Sequence, residues 1–155
     1  MSKNYIPHID GLRGVAVLSV VLYHLAPAVL PGGFVGVDIF FVISGFLITQ
    51  IITNDLRDHT FSFTTFYAHR IRRIFPALFV LLIGTAFAAV LFLGPTPYYD
   101  FFKAFRYASF QGSNFLFARE VDYFKLNADP SPLLHTWSLG VESQFYLIWP
   151  ILLML

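Results

Sequence analysis

Phe34-Val35-Gly36-Val37-Asp38-Ile39-Phe40-Phe41-Val42-Ile43-Ser44-Gly45-Phe46-Leu47-Ile48-Thr49-Gln50-Ile51-Ile52 is an apolar run in which Asp38 is the one formal charge. A helix that crosses the hydrocarbon of a bilayer needs about 20 mostly apolar residues, and this run has that length. Its reading as a spanning helix sets the fold class for its neighbours: an all-α, polytopic integral membrane helical bundle.

Working outward, an earlier apolar run covers Gly14 to Leu30, preceded by Lys3 and Arg13. A basic start, an apolar middle and the triplet Ala26-Pro27-Ala28 also fit a cleavable signal peptide. The long polar leader, His24 inside the run, and a second run after only Pro31-Gly32-Gly33 favour a helical hairpin. Downstream, Thr53 to Thr60 is a polar connection and Ser62 a helix cap. Phe63, Phe66, Tyr67, Arg70, Ile71 and Ile74 then recur at helical spacing. That pattern predicts an amphipathic interfacial helix, kinked at Pro76 into a third apolar run, Ile74 to Leu93.

The composition agrees. Of 155 residues 57% are hydrophobic and 12% charged, against about 25% charged in soluble domains. Nineteen Phe and eight Tyr suit a surface that meets lipid. The net charge of +1 offers nucleic acid no general attraction, and the lack of cysteine excludes disulfides and thiolate metal sites. His8, His24, His59, His69 and His135 show no ligand-like spacing, so no metal is expected. A phosphate-cradling glycine loop and a Gly-x-Ser-x-Gly elbow are also missing.

Arg57, Arg70, Arg72 and Arg73 lie between the second and third runs, and Lys3 and Arg13 precede the first. Two spans separate these groups, so both fall on one side, which the positive-inside rule makes cytoplasmic. Gly94 to Asp100, without Lys or Arg, faces out. Thr96-Pro97 starts a segment reaching Ala118 that Lys103 and Arg106 interrupt, either a poor span or a helix on the outer surface. Arg119 to Asp129 reads as a polar loop. Ser131-Pro132 gives a cap-plus-first-turn signal for a helix from Pro132 to the last residue. That helix ends without a polar flank, so residues 1–155 are expected to be the N-terminal part of a larger membrane domain, incomplete at the C-terminal end.

Ionisable residues within spans are costly and face a protein interior or a watery cavity. Arg13 and His24, eleven positions apart, share a helix face at a separation of roughly 16 Å. His24 as a packing histidine and Arg13 as an interfacial anchor is the plainer alternative. Asp38 and Gly45 share a face, with Phe40, Phe41 and Ser44 beside it; Asp38 near a helix start also suits a dipole partner, and Ser44-Gly45 a close helix approach. Arg70 and Arg73, three apart at a membrane border, serve topology, an anion clamp, or both. Ser138, Glu142 and Tyr146 are spaced by four, with His135 and Trp149 each seven from Glu142, making a polar and aromatic stripe. Glu142 needs a partner, which an interhelical hydrogen bond would supply without any chemistry.

Four ordered stretches carry a resemblance. They are Tyr5-Ile6-Pro7-His8-Ile9-Asp10-Gly11-Leu12-Arg13-Gly14 with the Arg13-to-His24 spacing, Gly33 to Phe46, Arg70-Ile71-Arg72-Arg73, and Ser131-Pro132-Leu133-Leu134-His135-Thr136-Trp137-Ser138-Leu139-Gly140-Val141-Glu142-Ser143-Gln144-Phe145-Tyr146. Together they resemble the acyltransferase-3 family, nearest to bacterial lipopolysaccharide and peptidoglycan O-acetyltransferases of the OafA type. The resemblance implies a bundle of about ten spans, each matched to bilayer thickness, in the bacterial cytoplasmic membrane. Acetyl would pass from cytoplasmic acetyl-CoA to a hydroxyl of a cell-envelope glycan. Arg13 and His24 match functional residues of the family's first helix, Arg70 and Arg73 its Arg-x-x-Arg motif, and Ser138, Glu142 and Tyr146 its last stripe.

On this reading Arg13, Arg70 and Arg73 bind the cofactor, and His24 and Glu142 are catalytic. His24 would be general base toward the acceptor hydroxyl, a role suited to imidazole, and Glu142 would orient it as a triad carboxylate does. Asp38, Ser44, His135, Ser138 and Tyr146 complete the candidate set. The alternatives are a transporter or channel whose path the Arg13/His24 helix lines, and an inactive truncated chain.

Overall fold

The computed structural model describes residues 7–120 and 131–155. Lys3, the Tyr5-Ile6 start of the first motif, and the expected polar loop beyond Glu120 lie outside the described residues. Within them the regular elements are all helical. They group into two bodies, Met1–Arg57 and Asp58–Leu155.

In the first body, α1 covers Pro7–Leu25, a short 3-10 turn covers Gly33–Val35, and α2 covers Gly36–Arg57. The hairpin is as predicted, but α1 lies further upstream than the apolar run Gly14 to Leu30. Pro7 suits a first helical position, where its missing N–H goes unneeded. At the other end Pro27 pushes Ala26 away from helical geometry, so the helix stops at Leu25 despite the apolar residues beyond. At 1.5 Å per residue α1 is about 28 Å long and α2 about 33 Å, against a hydrocarbon core of about 30 Å.

The glycines at the turn set how the hairpin closes. A Cβ on Gly36 would collide with the Ala16 carbonyl oxygen and the Ser19 hydroxyl; one on Gly33 would meet the Ser19 carbonyl and Tyr23 Cβ. Ala16 is buried and the Ser19 hydroxyl donates to the Ala16 carbonyl at 2.8 Å, which keeps that surface smooth. Small residues admit such approach between membrane helices. Gly36→Ala in the full-length protein is therefore expected to cost about 1–3 kcal/mol through overpacking, read as a lower unfolding midpoint in detergent. Gly84→Ala is the control: a Cβ there meets nothing within 4 Å, so its midpoint holds or rises with the better helix propensity of Ala. Equal midpoints for the two variants would contradict the close-packed hairpin.

In the second body α3 covers Phe63–Phe92, α4 Pro95–Ser109, α5 Ser113–Glu120 and α6 Thr136–Leu152. The predicted amphipathic helix and third apolar run form one continuous helix with Pro76 inside it. Its 30 residues reach about 45 Å, longer than the hydrocarbon, so its basic first turns extend beyond the span. Gly33–Arg57 and Phe63–Phe92 are each long and apolar enough to cross a membrane. Phe79, Val80, Phe87 and Phe92 on α3 are exposed, a surface lipid can cover.

α3, α4, α5 and the turn before α6 share a core that includes Leu82, Ala89, Phe101, Ala108, Leu116 and Leu133. The segment expected to run from Thr96 to Ala118 is broken in two. α4 spans only about 22 Å, too short to cross, and stops at Phe110. Gln111 then takes φ 57°, with its N–H on the Ala108 carbonyl (3.1 Å) and the Gly112 N–H on the Tyr107 carbonyl (2.8 Å). This is the Schellman closure of a helix, with Gln where glycine is usual. The last helix also starts later than Pro132. Ser131 spends its carbonyl on Leu134 N–H (2.9 Å) and its hydroxyl on Leu133 N–H (3.4 Å). The cap-plus-proline signal thus builds a turn, and His135 becomes the residue before α6.

Candidate functional site

In the first body Arg13 and His24 both lie on α1, as expected of one continuous helix. The Arg13 guanidinium stacks on the Phe40 ring of α2, 5.1 Å from its centroid, and pairs with Asp10 one turn earlier at 3.7 Å. Its Nε is buried and has no hydrogen-bond acceptor among the described residues. At His24, Nδ1 lies 2.8 Å from the Val20 carbonyl oxygen. A carbonyl only accepts, so Nδ1 carries the proton in that bond, and the basic nitrogen of the neutral ring is Nε2. Tyr23 meets the His24 ring edge-on at 5.3 Å and is itself packed on Phe34. Asp38 is exposed in the first turn of α2, where a carboxylate complements the helix dipole. Ser44 is buried in the same helix.

The second body gathers Arg70, Glu142 and Tyr146. Tyr146 is buried, and its hydroxyl donates to Glu142 Oε1 one turn earlier on α6. The Arg70 guanidinium lies over the Tyr146 ring (5.5 Å) and the Phe66 ring (5.6 Å), and its buried Nε has no acceptor among the described residues. Glu142 and Arg73 act on Arg70 with opposite signs. The Tyr67 hydroxyl donates to the Leu147 carbonyl at 3.1 Å, so α3 and α6 are bridged by long side chains. Glu142 and His24 belong to different bodies, and within its own body Glu142 is hydrogen-bonded to Tyr146 and acts on Arg70 through its charge.

Two further members of the stripe meet each other. Ser138 donates back to the His135 carbonyl at 3.0 Å, and His135 is exposed ahead of the helix. The sequence reading missed a second polar face on α6. Asn114 and Gln144 exchange amide hydrogen bonds (3.0 and 2.9 Å), and Ser143 donates to Gln111 Oε1 at 2.7 Å. The available signal was Ser143-Gln144 in an otherwise apolar helix, a pair that Glu142 overshadowed.

A helical membrane protein with stacked arginines and a polar, carboxylate-bearing helix is the class these features define. The chain belongs to the acyltransferase-3 family, whose acyltransferase-domain model matches residues 6–155. It is 41% identical to the peptidoglycan O-acetyltransferase OatA of Listeria monocytogenes over 99% of the chain and 25% of the relative. It is 44% identical to the putative peptidoglycan O-acetyltransferase YrhL of Bacillus subtilis over 96% of the chain and 24% of that protein. A putative O-acetyltransferase of Staphylococcus aureus is 39% identical over 96% of the chain and 25% of its own length. The chain thus spans about a quarter of the length of these curated relatives. No solved structure matches it.

Proposed function

We propose that this chain forms the donor-binding and proton-transfer part of a multi-pass O-acetyltransferase of the bacterial inner membrane. The enzyme would move acetyl from cytoplasmic acetyl-CoA to a hydroxyl of an envelope glycan, most simply peptidoglycan, as the names of the relatives suggest. The observation that carries the reading is the shared state of Arg13 and Arg70: each guanidinium is stacked on aromatic rings with a buried Nε–H unspent. Ring stacking holds the planar fork in one orientation, so little entropy is lost when it pairs with an anion. Arg73 adds positive charge one turn from Arg70.

The His24 tautomer supports the chemical half. With Nδ1–H held by Val20, Nε2 accepts the proton of the acceptor hydroxyl. The oxygen then attacks the acetyl carbonyl, the carbon–sulfur bond breaks, and the CoA thiolate leaves and takes a proton from the imidazolium. Glu142 holds Tyr146 and balances Arg70.

Membranes containing the full-length protein, supplied with labelled acetyl-CoA, are expected to acetylate envelope glycan. Arg13→Gln should raise the acetyl-CoA KM about tenfold or more by removing charge-assisted donors. Label crossing the membrane without transfer would instead support a transporter.

A further inference from the structure

α6 has two polar faces. At 100° per residue, Gly140, Ser143 and Gln144 cluster around one direction, and Ser138, Glu142 and Tyr146 cluster about 150° from it on the other side. The first group rests on the α4–α5 corner. A Cβ on Gly140 would come within 2.8 Å of Asn114 Oδ1 and 2.9 Å of the Gln111 carbonyl, so only glycine lets α6 lie this close. One turn on, Gln144 pairs reciprocally with Asn114, and its Nε2 also reaches the Gln111 carbonyl at 3.4 Å. Ser143 donates to Gln111 Oε1.

Gln111 is the telling residue. It occupies a left-handed position that glycine fills without strain. Glycine there would close α4 equally well and would leave Ser143 without this acceptor. The side chain that makes the position strained is the one that grips α6.

We propose that Gln111, Asn114 and Gln144 form a rotational lock that keeps Glu142 and Tyr146 turned toward Arg70. An apolar helix in lipid has little preference for one rotation, because lipid tails are as apolar as leucine. Directional amide bonds supply that preference. A slip by one residue would swing the Glu142 face by about 100° and carry the Tyr146 ring off Arg70. The effect on catalysis rests on the acetyltransferase reading above; the lock itself does not.

Two measurements on the full-length protein separate the claims. Gln144→Met keeps the volume and removes the amide. It is expected to lower kcat about tenfold with little change in acetyl-CoA KM, the pattern of a misplaced group. The exchange variant Asn114→Gln/Gln144→Asn rebuilds a reciprocal amide pair and should restore kcat to within about twofold. In an Arg70→Cys/Tyr146→Cys background, a short bis-maleimide should link α3 to α6, and adding Gln144→Met should cut the yield several-fold. Unchanged cross-linking in Gln144→Met overturns the lock. A full kcat in Gln144→Met, or an exchange variant as poor as the single one, overturns its role in catalysis. A wild-type protein without acetyl transfer refutes the functional reading alone, since cross-linking still decides the lock.

Discussion

His24→Ala in the full-length protein is expected to lower kcat for acetyl transfer by about 10²–10⁴-fold, the usual contribution of a positioned general base. The fold should tolerate the change. His24 is exposed, and the bond recorded at Nδ1 goes to the carbonyl of Val20 on its own helix. Two controls distinguish packing from proton transfer. An alanine variant that lacks only a base should regain part of its rate when free imidazole is added, whereas one that lacks packing should not. His24→Asn keeps a donor near the Val20 carbonyl and still has no basic nitrogen, so it should be as slow as alanine. Full acetyl transfer by His24→Ala would sink the role given to this residue.

Glu142→Gln is expected to lower kcat/KM by about a hundredfold, because Tyr146 and Arg70 both lose the carboxylate charge that acts on them. Glutamine retains an oxygen for the Tyr146 hydroxyl, so shape and that hydrogen bond survive. The lost quantity is charge. Arg70, stacked on Phe66 and Tyr146 with Arg73 one turn away, then loses the one carboxylate among the described residues that acts on it. A double-mutant cycle checks this coupling: Arg70→Met with Glu142→Leu should cost little more than Arg70→Met alone, because the second change removes a charge whose partner is gone. Simple additivity of the two losses, or wild-type activity in Glu142→Gln, would remove Glu142 from the site.

Much of the fold was legible because bilayer thickness turns length and apolarity into structure. The run Phe34 to Ile52 became α2, the turn at Pro31-Gly32-Gly33 closed a hairpin, and Ser62 preceded α3. Boundaries that depend on local competition were less legible. Pro27 ended α1 inside an apolar stretch, while Pro76 left α3 unbroken. Ser131-Pro132 carried the signature of a helix start but spent it on a turn, and the left-handed Gln111 split a segment whose sequence shows no glycine until the following position.

By itself the chain order determined that the protein is helical, that it meets lipid, and that Arg13 shares a helix with His24 and Arg70 with Arg73, because helical periodicity and span length are local properties. Only the tertiary structure decided that Phe40 supports Arg13, that Tyr146 joins Glu142 to Arg70, and that Gln111 and Asn114 hold the far side of α6. All of these but the Glu142–Tyr146 bond join residues tens of positions apart. Their energy comes from ring faces and amide geometry that exist only once the helices have packed.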